Sequence, residues 1–171
     1  SSFDRRWTAA MSSDVDERFL AQLAAEIRAA HLDAVVVGNV AALLQDAPVL
    51  TQDVDLLVRD TPSNRRKLRD LARRMGGVGP HPISELTRNE RITGTDVPID
   101  VLFDRISGNL RFEALKKRAV HISFGKHALL AASLKDVIRS KEATGRPKDV
   151  AALPILQDTL RVRRALNEEG A

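Results

Sequence analysis

Two aspartates lie inside a stretch that is otherwise typical of a buried β-strand. Residues 49–58 read VLTQDVDLLV, with Asp53 and Asp55 separated by a single valine. Buried strands are apolar along their length, and leaving two like charges in one is costly. Side chains at i and i+2 of a strand project from the same face, so we expect the two carboxylates side by side. Without a cation, their repulsion would force one of them to take up a proton.

A third aspartate interrupts another strand-like run further along the chain. Asp100 stands at the centre of VPIDVLF, between Ile99 and Val101. If this strand pairs with the one predicted over residues 52–58, its carboxylate supplies a third oxygen donor of the kind that Mg²⁺ prefers. Three carboxylates from two strands suit a two-metal site for in-line phosphoryl or nucleotidyl displacement. The alternative is an Asp-x-Asp pair on an edge strand that simply faces water.

A strand-to-helix junction lies a short distance upstream of the aspartates. The sequence VVVGN ends an apolar run at Gly38, and NVAALLQ restarts as a short helix from Asn39. Backbone N–H groups and the positive end of a helix at such a junction offer a place for an anion such as a triphosphate. A glycine alone is weak support for this interpretation, because many strand-to-helix turns need one.

Strands and helices alternate along the chain, which predicts an α/β (α+β) fold with a mixed sheet flanked by helices and further helices at the C-terminal end. A capping box beginning at Ser13 predicts a first helix over about 15–30. Thr61 is predicted to cap an arginine-rich helix, and Ser133 is predicted to cap a helix that runs to about residue 144. ISELT and RNERIT are predicted as short strands, a hairpin is predicted about Gly125, and a last helix over about 148–166.

Composition bounds the class of protein. The 171 residues, 43% of them hydrophobic and none cysteine, predict a single domain over 1–171, with a core at about 34–130 and a C-terminal helical part at about 133–168. No apolar run is long enough to cross a bilayer, so we expect no membrane partner and a cytoplasmic location. The net charge is +4, yet residues 59–74 hold seven basic residues against two acidic ones. One interpretation is that this helix contacts RNA phosphates through Arg65, Arg66, Arg69 and Arg73; the other is a solvated polar face.

The motifs VVVGNVAALL, QDVDLLV and PIDVLF, in this order, resemble the nucleotidyltransferase superfamily with the DNA polymerase β-like fold. Within it the chain is similar to small bacterial AbiEii-like or MNT-like nucleotidyltransferases, which are linked to toxin–antitoxin pairs. The tail SLKDVIRSKEATGRPKDVAALPIL is part of that resemblance, which covers about residues 34–160. It implies a magnesium-dependent enzyme, with up to two ions, that takes ATP or another NTP and transfers NMP to an acceptor.

The resemblance also implies roles for individual residues. Asp53, Asp55 and Asp100 would hold the metal, with Asp100 helping to activate the acceptor hydroxyl. Gly38 and Asn39 would cradle the phosphates, although the family usually has glycine or serine at the second position.

The C-terminal segment carries three further candidates. Lys141 continues the apolar stripe of its helix, so it either snorkels to the surface or points into a cleft. The resemblance implies that it faces the nucleotide as a catalytic cation. Asp149 either caps the last helix or, as the resemblance implies, holds Lys141 or Arg146 in position. The resemblance places Lys141, Arg146 and Asp149 in the nucleotide site.

Three functions stay open at this point. The first is an active nucleotidyltransferase whose acceptor is tRNA or another RNA, a protein hydroxyl or a small molecule. The second is a weakly active or inactive relative that binds a cognate toxin or antitoxin protein. The third is an RNA-binding protein that uses the arginine-rich helix. The sequence leaves base preference and oligomeric state undetermined.

Overall fold

The protein is described from a computed structural model that covers residues 2–3 and 15–169. Its strands are β1 (Ser2–Phe3), β2 (Val35–Val37), β3 (Val54–Val58), β4 (Val78–Pro82), β5 (Glu90–Thr93), β6 (Ile99–Phe103), β7 (Arg105–Ile106), β8 (Leu110–Arg111), β9 (Val120–Phe124) and β10 (His127–Ala131). Its helices are α1 (Glu17–Ala29), α2 (Gly38–Leu43), α3 (Pro62–Arg74), α4 (Phe112–Arg118), α5 (Leu134–Thr144) and α6 (Pro147–Glu169).

The main sheet is mixed, with strand order β1-β9-β10-β2-β3-β6-β5-β4. Strand β3 lies at its centre, antiparallel to β2 and parallel to β6. Strands β7 and β8 form a separate two-stranded ribbon directly after β6. The mixed sheet flanked by helices confirms the predicted fold class.

The apolar residues of the central strands explain why this part of the sheet is the core. All three residues of β2 are at most 2% exposed, and Val54, Leu56, Leu57 and Val58 of β3 are fully buried. Only Asp55 interrupts this buried run of β3, so its carboxylate is a polar group in an otherwise apolar strand.

The predicted helix caps are mostly confirmed. The Thr61 hydroxyl accepts a hydrogen bond from the N–H of Asn64 at 3.0 Å, and the Ser133 hydroxyl accepts one from the N–H of Asp136 at 3.2 Å. Such caps satisfy N–H groups that have no partner inside the helix. Among helices of the described chain, none is long and apolar enough to cross a membrane.

Two local predictions differ from the structure. The predicted cap Ser13 lies outside the described residues, and α1 is capped instead by Asp16, which accepts from the N–H of Phe19 at 2.8 Å. The strand predicted over ISELT is absent from the described sheet, where β4 (Val78–Pro82) pairs with β5 instead. Glycine and proline in β4 masked its strand character, and the structure tolerates them because β4 is an edge strand.

Candidate active site

Three carboxylates converge at the ends of two neighbouring strands. Asp55 lies on β3 directly beside Asp100 on β6, because the two strands pair in parallel with these residues in register. Asp53 stands one residue before β3, where its carbonyl oxygen accepts from the Thr51 hydroxyl at 2.9 Å. One oxygen from each of the three aspartates lies within 4.8 Å of the others. The spacing argument from the sequence therefore places three oxygen donors at one point.

Burial and crowding disfavour the charged forms of two of these carboxylates, Asp55 and Asp53. The pKa of Asp55 is raised from 3.8 to about 7, first by burial and then by the neighbouring charges of Asp53 and Asp100. Burial, followed by the charge of Asp100, also raises the pKa of Asp53. A divalent cation between the carboxylates would reverse this preference, because it favours their charged forms.

Arg91 supplies the triad with a positive charge, and sequence reasoning missed it. It lies on β5 directly opposite Asp100 on β6. Its guanidinium donates to the two Asp100 carboxylate oxygens at 2.5 Å and 3.0 Å, and lies 4.0 Å from the Asp53 carboxylate. The hydrogen bonds to Asp100 raise the pKa of Arg91. The signal was present in RNERIT, which was predicted as a strand, but the pairing of that strand with β6 was not.

Gly38 lines the floor of the site and has no room for a side chain. Its φ of +69° belongs to the left-handed region, and a Cβ built on it would lie 2.7 Å from Oδ2 of Asp55. The neighbouring Asn39 donates from its side-chain amide to the carbonyl oxygen of Leu50 at 3.4 Å. Its Oδ1 is buried and accepts no hydrogen bond from the described residues. The Asn39 side chain is therefore held against the loop that precedes β3.

A basic wall from α5 and α6 faces the carboxylates. Asp149 is 2% exposed and accepts from Lys141 at 3.3 Å and from Arg146 at 2.7 Å. Burial alone would raise the pKa of Asp149, but these two cations hold it below its usual value. The Lys141 side chain is only 13% exposed. Lys141 therefore points into the cleft rather than to the surface, and Asp149 contacts both cations as one of the two sequence interpretations has it.

These groups line one cleft of about 320 Å³. The eight site residues predicted from the sequence all line it, namely Gly38, Asn39, Asp53, Asp55, Asp100, Lys141, Arg146 and Asp149. Their chemical roles stay predictions. Asn89, Ser140 and Lys148 line the same cleft and were not predicted. The charge of Lys148 lowers the pKa of Asp53, so it adds to the basic wall.

The arginine-rich helix α3 lies apart from this cleft, since none of its residues lines it. Arg65 forms ion pairs with Asp60 at 2.8 Å and Glu90 at 2.7 Å. Arg73 pairs with Asp70 at 2.5 Å. Two of the four arginines predicted to contact RNA therefore already hold intramolecular partners.

The residues present fit a divalent cation. The donors are three hard oxygen ligands, which is the set that Mg²⁺ prefers. The absence of a Cβ at Gly38 leaves the Asp55 carboxylate free to face the cleft. Burial, followed by the charges of Asp53 and Asp100, raises the pKa of Asp55, and a cation bound at this point would favour its charged form.

Comparisons with known proteins define the fold. No protein-family model and no curated protein matches the chain. A candidate nucleotidyltransferase from Thermotoga maritima superposes with a TM-score of 0.56 at 15% identity, covering 88% of this chain and 92% of that one. The antibiotic-resistance factor ANT(2'')-Ia in solution gives a TM-score of 0.58 at 15% identity, over 90% of this chain and 95% of its own. The crystal structure of ANT(2'')-Ia with adenylyl-2''-tobramycin gives a TM-score of 0.56 at 14% identity, covering 91% of this chain and 98% of that one. The chain thus has a nucleotidyltransferase fold.

Proposed function

We propose that this protein is a magnesium-dependent nucleotidyltransferase, which moves NMP from an NTP to a hydroxyl of an acceptor. The observation that carries the proposal is the convergence of three carboxylates within 4.8 Å, opposite a wall that contains Lys141 and Arg146. A nucleoside triphosphate with its metal has the complementary charges, because its phosphates are anionic and its cation needs oxygen ligands. The nucleotidyltransferase fold of the chain is consistent with this chemistry.

The carboxylates act as the metal ligands in this proposal. Asp53, Asp55 and Asp100 would hold one or two Mg²⁺ ions, which would supply positive charge against the negative charge of the triphosphate. Arg91 balances the carboxylates when no metal is present, through its hydrogen bonds to Asp100. Gly38 admits the triphosphate close to the backbone, because it carries no side chain.

The reaction is an in-line displacement at the α-phosphorus. The acceptor oxygen forms a bond to this phosphorus, the bond to the oxygen that bridges to the β-phosphate breaks, and pyrophosphate leaves. The proton of the acceptor hydroxyl passes to Asp100. Lys141, held by Asp149 at 3.3 Å, stabilises the negative charge that develops on the phosphates.

Asn39 does not argue against activity. The hydrogen bond of its side chain to Leu50 keeps the amide against a loop, so the side chain need not enter the space beside Gly38. The cleft also holds both acidic and basic groups, which are the charges that a metal–triphosphate complex would need. The proposal extends, through the resemblance of the sequence to AbiEii-like and MNT-like proteins, to a cytoplasmic enzyme of a toxin–antitoxin pair.

A labelling experiment tests the activity. The protein is incubated with MgCl₂, cell extract and each NTP labelled at either the α- or the γ-phosphate. We expect label from the α-position, and none from the γ-position, on one class of acceptor. The Asp53→Asn variant is the matched control, since it changes one ligand with little change in shape. Transfer of γ-label, or equal transfer by the variant, contradicts the proposal.

A further inference from the structure

The hairpin formed by β7 and β8 carries two arginines directly opposite each other. Arg105 and Arg111 are paired in its register, and both residues are exposed. Neither forms an ion pair with any residue in the described range 15–169. Like charges directly opposite each other destabilise a strand pair. The hairpin therefore holds an unfavourable pair of cations that nothing described in the fold compensates.

The rest of the hairpin is firmly anchored, so the two arginines are presented on a fixed frame. Leu110 is 3% exposed, and the N–H of Phe112 donates to the carbonyl oxygen of Asp104 at 2.9 Å. At the turn, a Cβ built on Gly108 would lie 3.5 Å from the Cβ of Ala143 on α5. The hairpin thus packs against the helix that carries the cationic wall of the cleft.

The surroundings of the two arginines remain positively charged. Arg105 and Arg111 line a hollow of about 310 Å³. Its complete lining is Arg59, Arg88, Asp104, Arg105, Arg111 and Glu113. Four arginines against two carboxylates give the lining a net charge of +2, and two of these arginines, Arg59 and Arg88, form further ion pairs with Asp33 and Asp60 outside it. Both carboxylates are already engaged, Asp104 with Arg88 at 3.3 Å and Glu113 with Arg59 at 3.1 Å. An anion is the ligand that this hollow suits.

A depression of about 410 Å³ has lining residues in common both with the carboxylate cleft and with this hollow, and we refer to the three together as the groove. It shares Asn89, Leu102, Ile106 and Ser107 with the cleft, and Arg105 with the arginine hollow. A molecule whose reacting hydroxyl lies near the carboxylates can therefore extend along the groove to the two arginines.

We propose that Arg105 and Arg111 form an anion subsite that binds a phosphate group of the acceptor, so that the acceptor is a phosphate-bearing molecule. This inference rests on the proposed function, because it concerns the second substrate of the transfer. The planar guanidinium groups suit a phosphate, whose oxygens accept paired hydrogen bonds. The phosphate belongs to a nucleic acid strand or to a small phosphorylated metabolite. In this proposal the phosphate binds at Arg105 and Arg111 rather than at helix α3.

The test compares two double variants with the same loss of charge. Arg105→Gln with Arg111→Gln removes the subsite. Arg18→Gln with Arg164→Gln is the matched control, because these arginines are exposed on α1 and α6 and line neither the cleft nor the groove. Binding of a short fluorescent single-stranded RNA is measured by anisotropy at several salt concentrations without NTP, and binding of ribose 5-phosphate by calorimetry. Mg²⁺–NTP binding is measured separately on each protein.

We expect the hairpin variant to lose about tenfold or more in affinity for one of the two probes, while the control variant keeps it. If RNA is the source, the salt dependence of its binding flattens by about 0.7 for each phosphate that the arginines no longer neutralise. If ribose 5-phosphate alone responds, the acceptor is a small phosphorylated molecule. Equal affinities of the two variants for both probes would overturn the subsite. Transfer of NMP to tobramycin, a cationic acceptor, at the same rate by the hairpin variant as by the parent would overturn it as well. If the parent protein does not bind Mg²⁺–NTP, that result would instead count against the proposed function.

Discussion

Replacing Asp55 by asparagine removes a charge that the metal-free protein holds at a cost. The pKa of Asp55 rises from 3.8 to about 7, first through burial and then through the charges of Asp53 and Asp100. Each pH unit of such a rise corresponds to about 1.4 kcal/mol. A charged Asp55 therefore destabilises the folded protein by about 4 kcal/mol above neutral pH. Asparagine has nearly the same shape and carries no charge, so it avoids this cost.

The sign of the pH dependence follows from the raised pKa. Between about pH 4 and about pH 7 the folded protein holds a proton on Asp55 that the unfolded chain has released, so the contribution of Asp55 to the stability of the parent falls as the pH rises. Asp55→Asn lacks this contribution. Its advantage in free energy of unfolding is expected to grow from about 2 kcal/mol at about pH 5 to about 4 kcal/mol at about pH 8.

The assay is urea unfolding followed by far-ultraviolet circular dichroism, with EDTA present, across this pH range. Adding MgCl₂ in place of EDTA should then raise the stability of the parent and leave Asp55→Asn nearly unchanged, because a ligand of the folded state stabilises by mass action. A variant that is less stable than the parent at every pH would refute the reasoning. That result would mean that Asp55 is a structural residue rather than one kept for a cation.

Three further substitutions test the other groups of the site. Gly38→Ala should lower the melting temperature and abolish Mg²⁺-induced stabilisation, since a Cβ would lie 2.7 Å from Oδ2 of Asp55 at a φ of +69°. Asp149→Asn should cost about 3 kcal/mol in urea unfolding, because it leaves the mostly buried Lys141 without its partner; an unchanged midpoint would contradict this pairing. Arg91→Gln should destabilise the metal-free protein by about 2 kcal/mol, yet tighten Mg²⁺ binding in calorimetry, and weaker binding would show that Arg91 assists the metal.

The carboxylate site was predictable because its geometry follows from a short-range rule. Side chains two residues apart share a strand face, which brings Asp53 and Asp55 together. The position of Asp100 needed one assumption beyond this, that the strands predicted around Asp55 and Asp100 are neighbours, and the structure pairs them in parallel. Asp53 lies one residue outside β3, and the side-by-side arrangement survives that difference.

What the sequence did not reveal depends on long-range pairing. Arg91 contacts Asp100 only because β5 lies antiparallel to β6, and no local pattern specifies that pairing. The cross-strand pair of Arg105 and Arg111 was missed for the same reason. The contacts of the α3 arginines also depend on residues that are distant in sequence, since Arg65 forms an ion pair with Glu90 on β5. Periodicity predicts which residues share a face, whereas strand order decides which faces meet.

Calorimetric titration of an NTP into the parent protein, with and without MgCl₂, tests the central claim most directly. The account predicts binding that requires Mg²⁺ and that is lost in the Asp53→Asn and Asp100→Asn variants, although both remain folded by circular dichroism. Binding of equal strength in EDTA, or unchanged Mg²⁺-dependent binding in both variants, would contradict the claim that Asp53, Asp55 and Asp100 hold a metal–triphosphate complex.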